Sequence, residues 1–409
     1  MGRQSLLRDT TYYLAFAAAV SILVSIALSQ ILLALALAML FFSGQKLEFP
    51  PIGLPLAVFF LVTLASVLMS GDPQRGTPQL RKFFVFAIVL VIFSTFRGIR
   101  QVRALILSWA AVATGSAMVG VEQFLHRRHD ALLQKANNYD FYVDDRITGF
   151  AGHWMTFGGE LMMVLLMLVS VLLFSDRPSW KRYLWPAAVV LWVAIGLGMT
   201  RCVFLLGLPL GILYLAWQRR ALFAIAFLAG SAAAVAVAPA AVQDRIVSVV
   251  KPHSVIDSNA HRAVCRIVGW QMVKAHPWLG LGPEQVGIQF DQYVPASIPR
   301  PLPKGWYGHL HNIYLQYAAE RGVAGLLSFL WLIGAMVSDV VKTLRQSALS
   351  KEARAVLNGV LAVVIAALAE GLFEYNLGDS EVLTIFLSVI ACGYVVIRHV
   401  SQRGTVCPA

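Results

Sequence analysis

The chain has 409 residues, 58% of them hydrophobic and 13% charged, with a formal net charge of +12 and a mean hydropathy of +0.70. A water-soluble domain is about half apolar and a quarter charged, so these values exclude a soluble globular enzyme and point to the membrane class. The positive charge follows a topological pattern set out below, so it is not read as nucleic-acid binding.

Twelve apolar runs occur in chain order, at 11–28, 29–44, 54–70, 80–96, 102–120, 157–174, 183–199, 202–217, 221–242, 312–341, 354–373 and 381–397. Most suit a helix that crosses the roughly 30 Å of bilayer hydrocarbon. The expected fold is an all-α polytopic membrane protein of about 12 transmembrane helices, the first two forming a hairpin around Ser29–Gln30. One membrane domain, 1–409, carries two longer outer segments, 121–156 and 243–310, the larger between helices nine and ten. No cleavable signal peptide is expected, because the first run continues without a small-residue exit.

Lys and Arg set the orientation. With the N-terminus inside, the inner segments carry Arg8, Lys46, Arg97, Arg100, Arg103, Arg219, Arg220, Lys342, Arg345, Lys351 and Arg398, among others. The short outer loops hold only Arg75, Arg81, Lys82 and Arg201. Both termini are therefore expected in the cytoplasm and the two long segments in the periplasm. The four cysteines show no Cys-x-x-Cys or Cys/His spacing. Cys202 and Cys265 fall outside and are expected as unpaired thiols; Cys392 and Cys407 fall toward the inner side.

Within the larger outer segment, "HRAVCRIVGWQMVKAHPWLGLGPEQVGIQF" (261–290) starts as a helix and ends at Pro277 and the Gly280, Gly282, Pro283 turn. Arg262 and Arg266 lie one helical turn apart, either as a solvated face or as a phosphate clamp. Arg201 occupies a minimal loop between two apolar runs, a costly position unless the side chain is paired or lines a polar cavity. Arg146, Arg81 and Lys82 belong to the same outer rim. Tyr293, Trp306 and Tyr307 fit either sugar stacking or anchoring in the outer leaflet.

The stretch "HLHNIYLQYAAERGVAGLL" (309–327) places His311, Leu315, Ala318, Gly322 and Gly325 on one helical stripe, whose small residues suit close helix packing. Residues 322–341 alone are long enough to span, which sets His311 about 16 Å further out, at the mouth of the bundle. There the histidine is either structural or a general base, and Asn312 and the nearby arginines favour the base. Glu374 and Asp379, in "FEYNLGDSE", are the candidates to orient it. There is no Asp-x-Asp, and the nearest acidic pair is Asp144–Asp145, so neither a metal nor another cofactor is expected.

These residues resemble the membrane superfamily of O-antigen ligases, polysaccharide polymerases and protein O-oligosaccharyltransferases. The ligase pattern is His, then Asn, Ser or Gln, nine residues, then Gly-x-x-Gly and Leu, Thr or Val; His311–Asn312, Gly322-Val-Ala-Gly325 and Leu326 satisfy it. Arg266-x-x-x-Trp270 followed by "HPWLGLGPEQ", and Arg201 after Thr200, are similar to two further family segments, so the likeness covers roughly 195–330. The resemblance implies transfer of O-antigen from undecaprenyl diphosphate to lipid A–core at the periplasmic face of the inner membrane. It implies His311 as the base and Arg201 and Arg266 on the diphosphate, without metal. Arg262, Asn312, Arg146, Arg81, Lys82, Trp270, Glu374 and Asp379 are the expected substrate-binding residues. The implied partners are the two lipid-linked substrates and membrane lipids. A polymerase or a protein O-oligosaccharyltransferase shares the pattern, although the latter usually has a C-terminal outer domain not expected here. A transporter of lipid-linked glycans is the alternative of another class, but its polar groups would gather at the bilayer midplane.

Overall fold

The computed structural model describes residues 3–134, 145–176, 178–238, 240–248, 258–347 and 349–404. Asp144 and Cys407 lie outside them. The described residues form helices and turns with no strand. In order the helices are α1 (Arg3–Ser21), α2 (Ile26–Phe42), α3 (Gly53–Met69), α4 (Pro73–Arg81), α5 (Ala87–Thr95), α6 (Ile99–Leu133), α7 (Trp154–Phe174), α8 (Pro178–Leu197), α9 (Leu208–Arg219), α10 (Ala221–Val237), α11 (Ala240–Val247), α12 (Ser258–Ala275), α13 (Val286–Gln289), α14 (Ile313–Leu344), α15 (Lys351–Glu370) and α16 (Ser380–Gly404). A 3₁₀ stretch, Lys82–Phe86, joins α4 to α5, and a π-helical turn, Cys202–Gly207, leads into α9.

Among the described residues seven helices are long and apolar enough to cross a membrane, and α2, α3 and α10 are shorter apolar helices. The chain is thus an all-α, multi-pass membrane protein. α7 is enclosed almost completely and packs on α6, α8, α9, α15 and α16. α10 lies outermost, against α9, with Leu222, Phe223 and Ile225 exposed as on a lipid-facing helix.

Two local expectations need correction. The first hairpin turns at residues 22–24, not at Ser29–Gln30. Ser25 caps α2 by accepting from the Leu28 N–H, and the buried Ser29 hydroxyl donates to the Ala18 carbonyl at 2.7 Å, so Ser29 joins the two helices rather than ending them. His311 is not on the helical stripe. It precedes α14 with φ of 49°, and Asn312 is the N-cap, its Oδ1 accepting from the Leu315 N–H at 2.8 Å.

Gly322 does not serve as a helix-packing stripe either. Its φ of 67° and ψ of −175° break α14, and such a break orphans backbone groups that must be paired elsewhere. The segment after α12 supplies the partners. Leu281 N–H donates to the Ala319 carbonyl and Gly282 N–H to that of Glu320, both at 2.9 Å, while the Pro277 carbonyl accepts from Val323 N–H at 2.8 Å. The Ser66 hydroxyl of α3 lies 2.8 Å from both the Leu279 and Glu320 carbonyls. A Cβ at Gly322 would stand 2.1 Å from the Trp278 carbonyl oxygen, and one at Gly280 would stand 2.3 Å from the Glu320 carbonyl carbon. Glycine is required at both positions.

The buried Glu320–Arg321 pair braces this joint. Arg321 Nη1 donates to Glu320 Oε2 at 2.7 Å and Nη2 donates to Gln79 Oε1 at 3.1 Å, while Glu320 Oε1 accepts from the Glu284 N–H and from Gln316. Gly322→Ala and Gly280→Ala should each lower the melting temperature of detergent-purified protein sharply, since left-handed strain costs about 1–3 kcal/mol before any clash. Gly334→Ala, where a Cβ meets nothing within 4 Å, should melt like the wild type.

Candidate active site

The joint holds the start of α14 beside the loop between α15 and α16, and the site forms where they meet. The N-terminal tie of α14 is doubled: Ile313 N–H donates to the Gly371 carbonyl, and Asn312 Nδ2 donates to that of Leu372, both at 2.8 Å. His311, forced outward by its left-handed backbone, then faces Glu374.

Glu374 is the hub. Its buried side chain, 4% exposed, receives four groups. Oε2 lies 3.2 Å from His311 Nδ1 and 3.2 Å from Arg262 Nη2. Oε1 accepts from the Tyr375 N–H at 3.1 Å and lies 3.6 Å from His309 Nε2. Burial alone would raise the Glu374 pKa; the His311 hydrogen bond and the charges of His311, Arg262 and His309 instead hold it down at about 2. His309 Nδ1 accepts from the His311 N–H at 3.1 Å, so its proton sits on Nε2, toward Glu374. The His309 and His311 rings meet at 4.1 Å between centroids, and the His261 ring stands 5.1 Å from that of His311. His311 Nε2 meets the Trp306 carbonyl oxygen at 3.4 Å.

These groups line a cavity of about 660 Å³ at one end of the bundle. Its basic wall is Arg146, Arg201 and Arg262. Arg201 precedes the π-helical turn and is buried; Nη1 donates to Ser248 Oγ at 3.1 Å and Nη2 donates to Asn259 Oδ1 at 2.9 Å. The Arg146 guanidinium lies over the Trp154 ring, 4.5 Å from its centroid. Arg262 Nε is buried with no hydrogen-bond partner among the described residues. Lys82 also lines the cavity and donates to the Gly378 carbonyl at 2.7 Å. Asp379 accepts from the Thr156 hydroxyl and caps α16 through the Glu381 N–H at 2.9 Å, so of the two acidic candidates Glu374 is the one on His311.

The cavity thus gathers His311, Arg201, Arg262, Arg146, Lys82, Glu374 and Asp379. Arg81 and Arg266 are exposed and Trp270 is 55% exposed; none of the three lines the cavity. Asn312 is a helix cap. Trp306, one of the rings the sequence offers for sugar stacking or leaflet anchoring, lines the cavity; His261, His309, Lys304, His153 and Trp154 line it too without a sequence signal beyond the "H" positions at 261, 309 and 311. Cys202 and Cys265 are both buried free thiols. The ring nitrogens of His309 and His311 and a Glu374 oxygen lie within 4.8 Å of one another, a set able to hold a metal ion, with Arg262 already paired to the same carboxylate.

Residues 186–330 match the sequence model of the family Wzy_C, O-Antigen ligase. The match takes in Arg201, α12 and the His311–Gly325 pattern. A search of the curated proteins finds no match.

Burial lowers the His309 and His261 pKa values from 6.5 to about 4 each. The folded state therefore binds fewer protons than the unfolded chain, and stability should fall as pH drops from about 6.5 toward 4. Glu374, depressed to about 2, stays ionised across that window. Melting of purified protein against pH should show this loss, and the double variant His309→Gln, His261→Gln should flatten it.

Proposed function

We propose that the protein is an O-antigen ligase, which moves a polysaccharide from undecaprenyl diphosphate to a hydroxyl of lipid A–core at the periplasmic face of the inner membrane. The observation that carries this reading is the Glu374 carboxylate, which joins the His311 ring to Arg262 at a basic cavity between membrane helices. Both substrates are lipid-linked, and a cavity at the end of an apolar bundle lets both arrive sideways from the bilayer.

The Nδ1–H of His311 donates to Glu374, which leaves Nε2 as the basic nitrogen. The acceptor hydroxyl replaces the long Trp306 contact and gives its proton to Nε2. Its oxygen bonds to the anomeric carbon of the donor sugar as the bond from that carbon to the diphosphate oxygen breaks. The electron pair leaves with the diphosphate, where Arg201, Arg262 and Arg146 stabilise the growing charge. Arg262 takes the diphosphate role that the sequence places on Arg266, because it points into the cavity and Arg266 does not.

His311→Ala should lower transfer about a hundredfold to ten-thousandfold while donor affinity stays near wild type. Arg201→Ala and Arg262→Ala should weaken donor binding as well as turnover, with lysine rescuing only in part because a point charge cannot reproduce the bidentate fork. The measurements are donor affinity and transfer rate on variants inserted at normal levels; near wild-type transfer by folded His311→Ala removes the base. Transfer should persist in excess chelator. Loss with EDTA and recovery with magnesium or manganese would give the His309, His311 and Glu374 set a metal instead.

Ligase and polymerase are separated by the lipopolysaccharide of a deletion strain. Bare core with accumulating undecaprenyl-linked chains is the ligase outcome; core bearing a single repeat unit is the polymerase outcome.

A further inference from the structure

α12 is tied down at both ends to the ends of membrane helices. Asn259, in its first turn, accepts from Arg201 at the start of the turn leading into α9. Just beyond its last turn, the Leu279 carbonyl accepts from Ser66 near the end of α3. The helix, about 27 Å long at 1.5 Å per residue, therefore lies across the end of the bundle rather than rising from it.

One face is buried: Val264, Cys265, Val268 and Met272 pack with Leu310, Ala318 and Ala319. The opposite face is open. Arg266, Trp270 and Lys274 follow one another at four-residue steps with Ile267 beside them, and α12 contains no Asp or Glu. An indole between two cations on an acid-free helix is the pattern of a helix resting in the lipid headgroups. The surface it would continue is apolar and exposed: Leu68 and Met69 at the end of α3 are 64% and 75% exposed, and Trp278, in the segment whose Leu279 carbonyl accepts from Ser66 of α3, is 77% exposed.

We propose that the open face of α12 docks on the leaflet at the cavity end, with Arg266 and Lys274 on anionic phospholipid headgroups and Trp270 and Ile267 at the acyl boundary. The proposal requires a membrane-spanning bundle but not the transferase reading. It gives Arg266 and Trp270 a task outside the cavity and holds Arg262, one turn earlier on the same helix, at the depth where a lipid-linked phosphate lies.

The test uses the full chain in nanodiscs of phosphatidylcholine with phosphatidylglycerol. A fluorophore is attached at Ile267→Cys in a Cys407→Ser background, and it is challenged with a lipid spin-labelled near the headgroup or with aqueous iodide. Docking predicts several-fold stronger quenching by the lipid than by iodide, and a loss of at least half of the lipid quenching when Lys274→Glu is added. Stronger quenching by iodide would overturn the proposal. So would lipid quenching unchanged by Lys274→Glu, or protection of the probe by free O-antigen polysaccharide rather than by lipid, which would make this face a glycan track. No outcome depends on transfer activity, so a failure here is distinct from a failure of the ligase reading.

Discussion

The break at Gly322 is the constraint on which the rest of the structure depends. A helix interrupted at the edge of a membrane leaves backbone groups that neither lipid nor side chains readily satisfy. Here the segment 277–282 fills the gap with three backbone hydrogen bonds, and two glycines make the approach possible. Two sequence features far apart in the chain, Gly-Leu-Gly at 280–282 and Gly-x-x-Gly at 322–325, are the two halves of one joint. The joint anchors the end of α12 and orients the first turns of α14, so it fixes Arg262 on one side and His311 on the other.

The site then forms around a single carboxylate. A buried glutamate without partners would be costly, and Glu374 is held ionised because an arginine, two imidazoles and a backbone N–H converge on it. The same convergence orients His311 and brings Arg262 to the cavity wall. Removing Glu374 would leave the half-buried Arg262 without its counter-charge, so under the proposed mechanism the positioning of the base and the binding of the donor are coupled through one side chain.

Much of this was legible in the sequence. The apolar runs fall in the helical parts of the chain, but those at 11–28, 80–96 and 221–242 each cross from one helix into the next. Among the described residues seven helices are long and apolar enough to span, because hydropathy registers apolar length and not the turns inside it. The His–Asn pattern and the short-loop Arg201 both lead to the candidate cavity, which His311 and Arg201 line. Other features were not legible. Helical periodicity put His311 and Gly322 on one stripe, since it cannot register a left-handed residue before a cap or a break inside a helix. Arg262 and Arg266 share a face by spacing, and spacing does not show that Arg262 reaches Glu374 while Arg266 is exposed. Glu374 and Asp379 were equivalent until the loop between α15 and α16 assigned one to the histidine and the other to a helix cap. His309 gave no signal beyond its proximity to His311.

The donor diphosphate is proposed to sit on Arg201 and Arg262, within reach of His311. A structure of the protein with undecaprenyl diphosphate bound tests it most directly. Phosphate oxygens are expected at about 2.8 Å from the guanidinium nitrogens of both arginines, with His311 Nε2 free toward the space where the acceptor enters. Phosphate held instead at Arg266 and Lys274, with the cavity arginines still on Ser248, Asn259 and Glu374 alone, would contradict it.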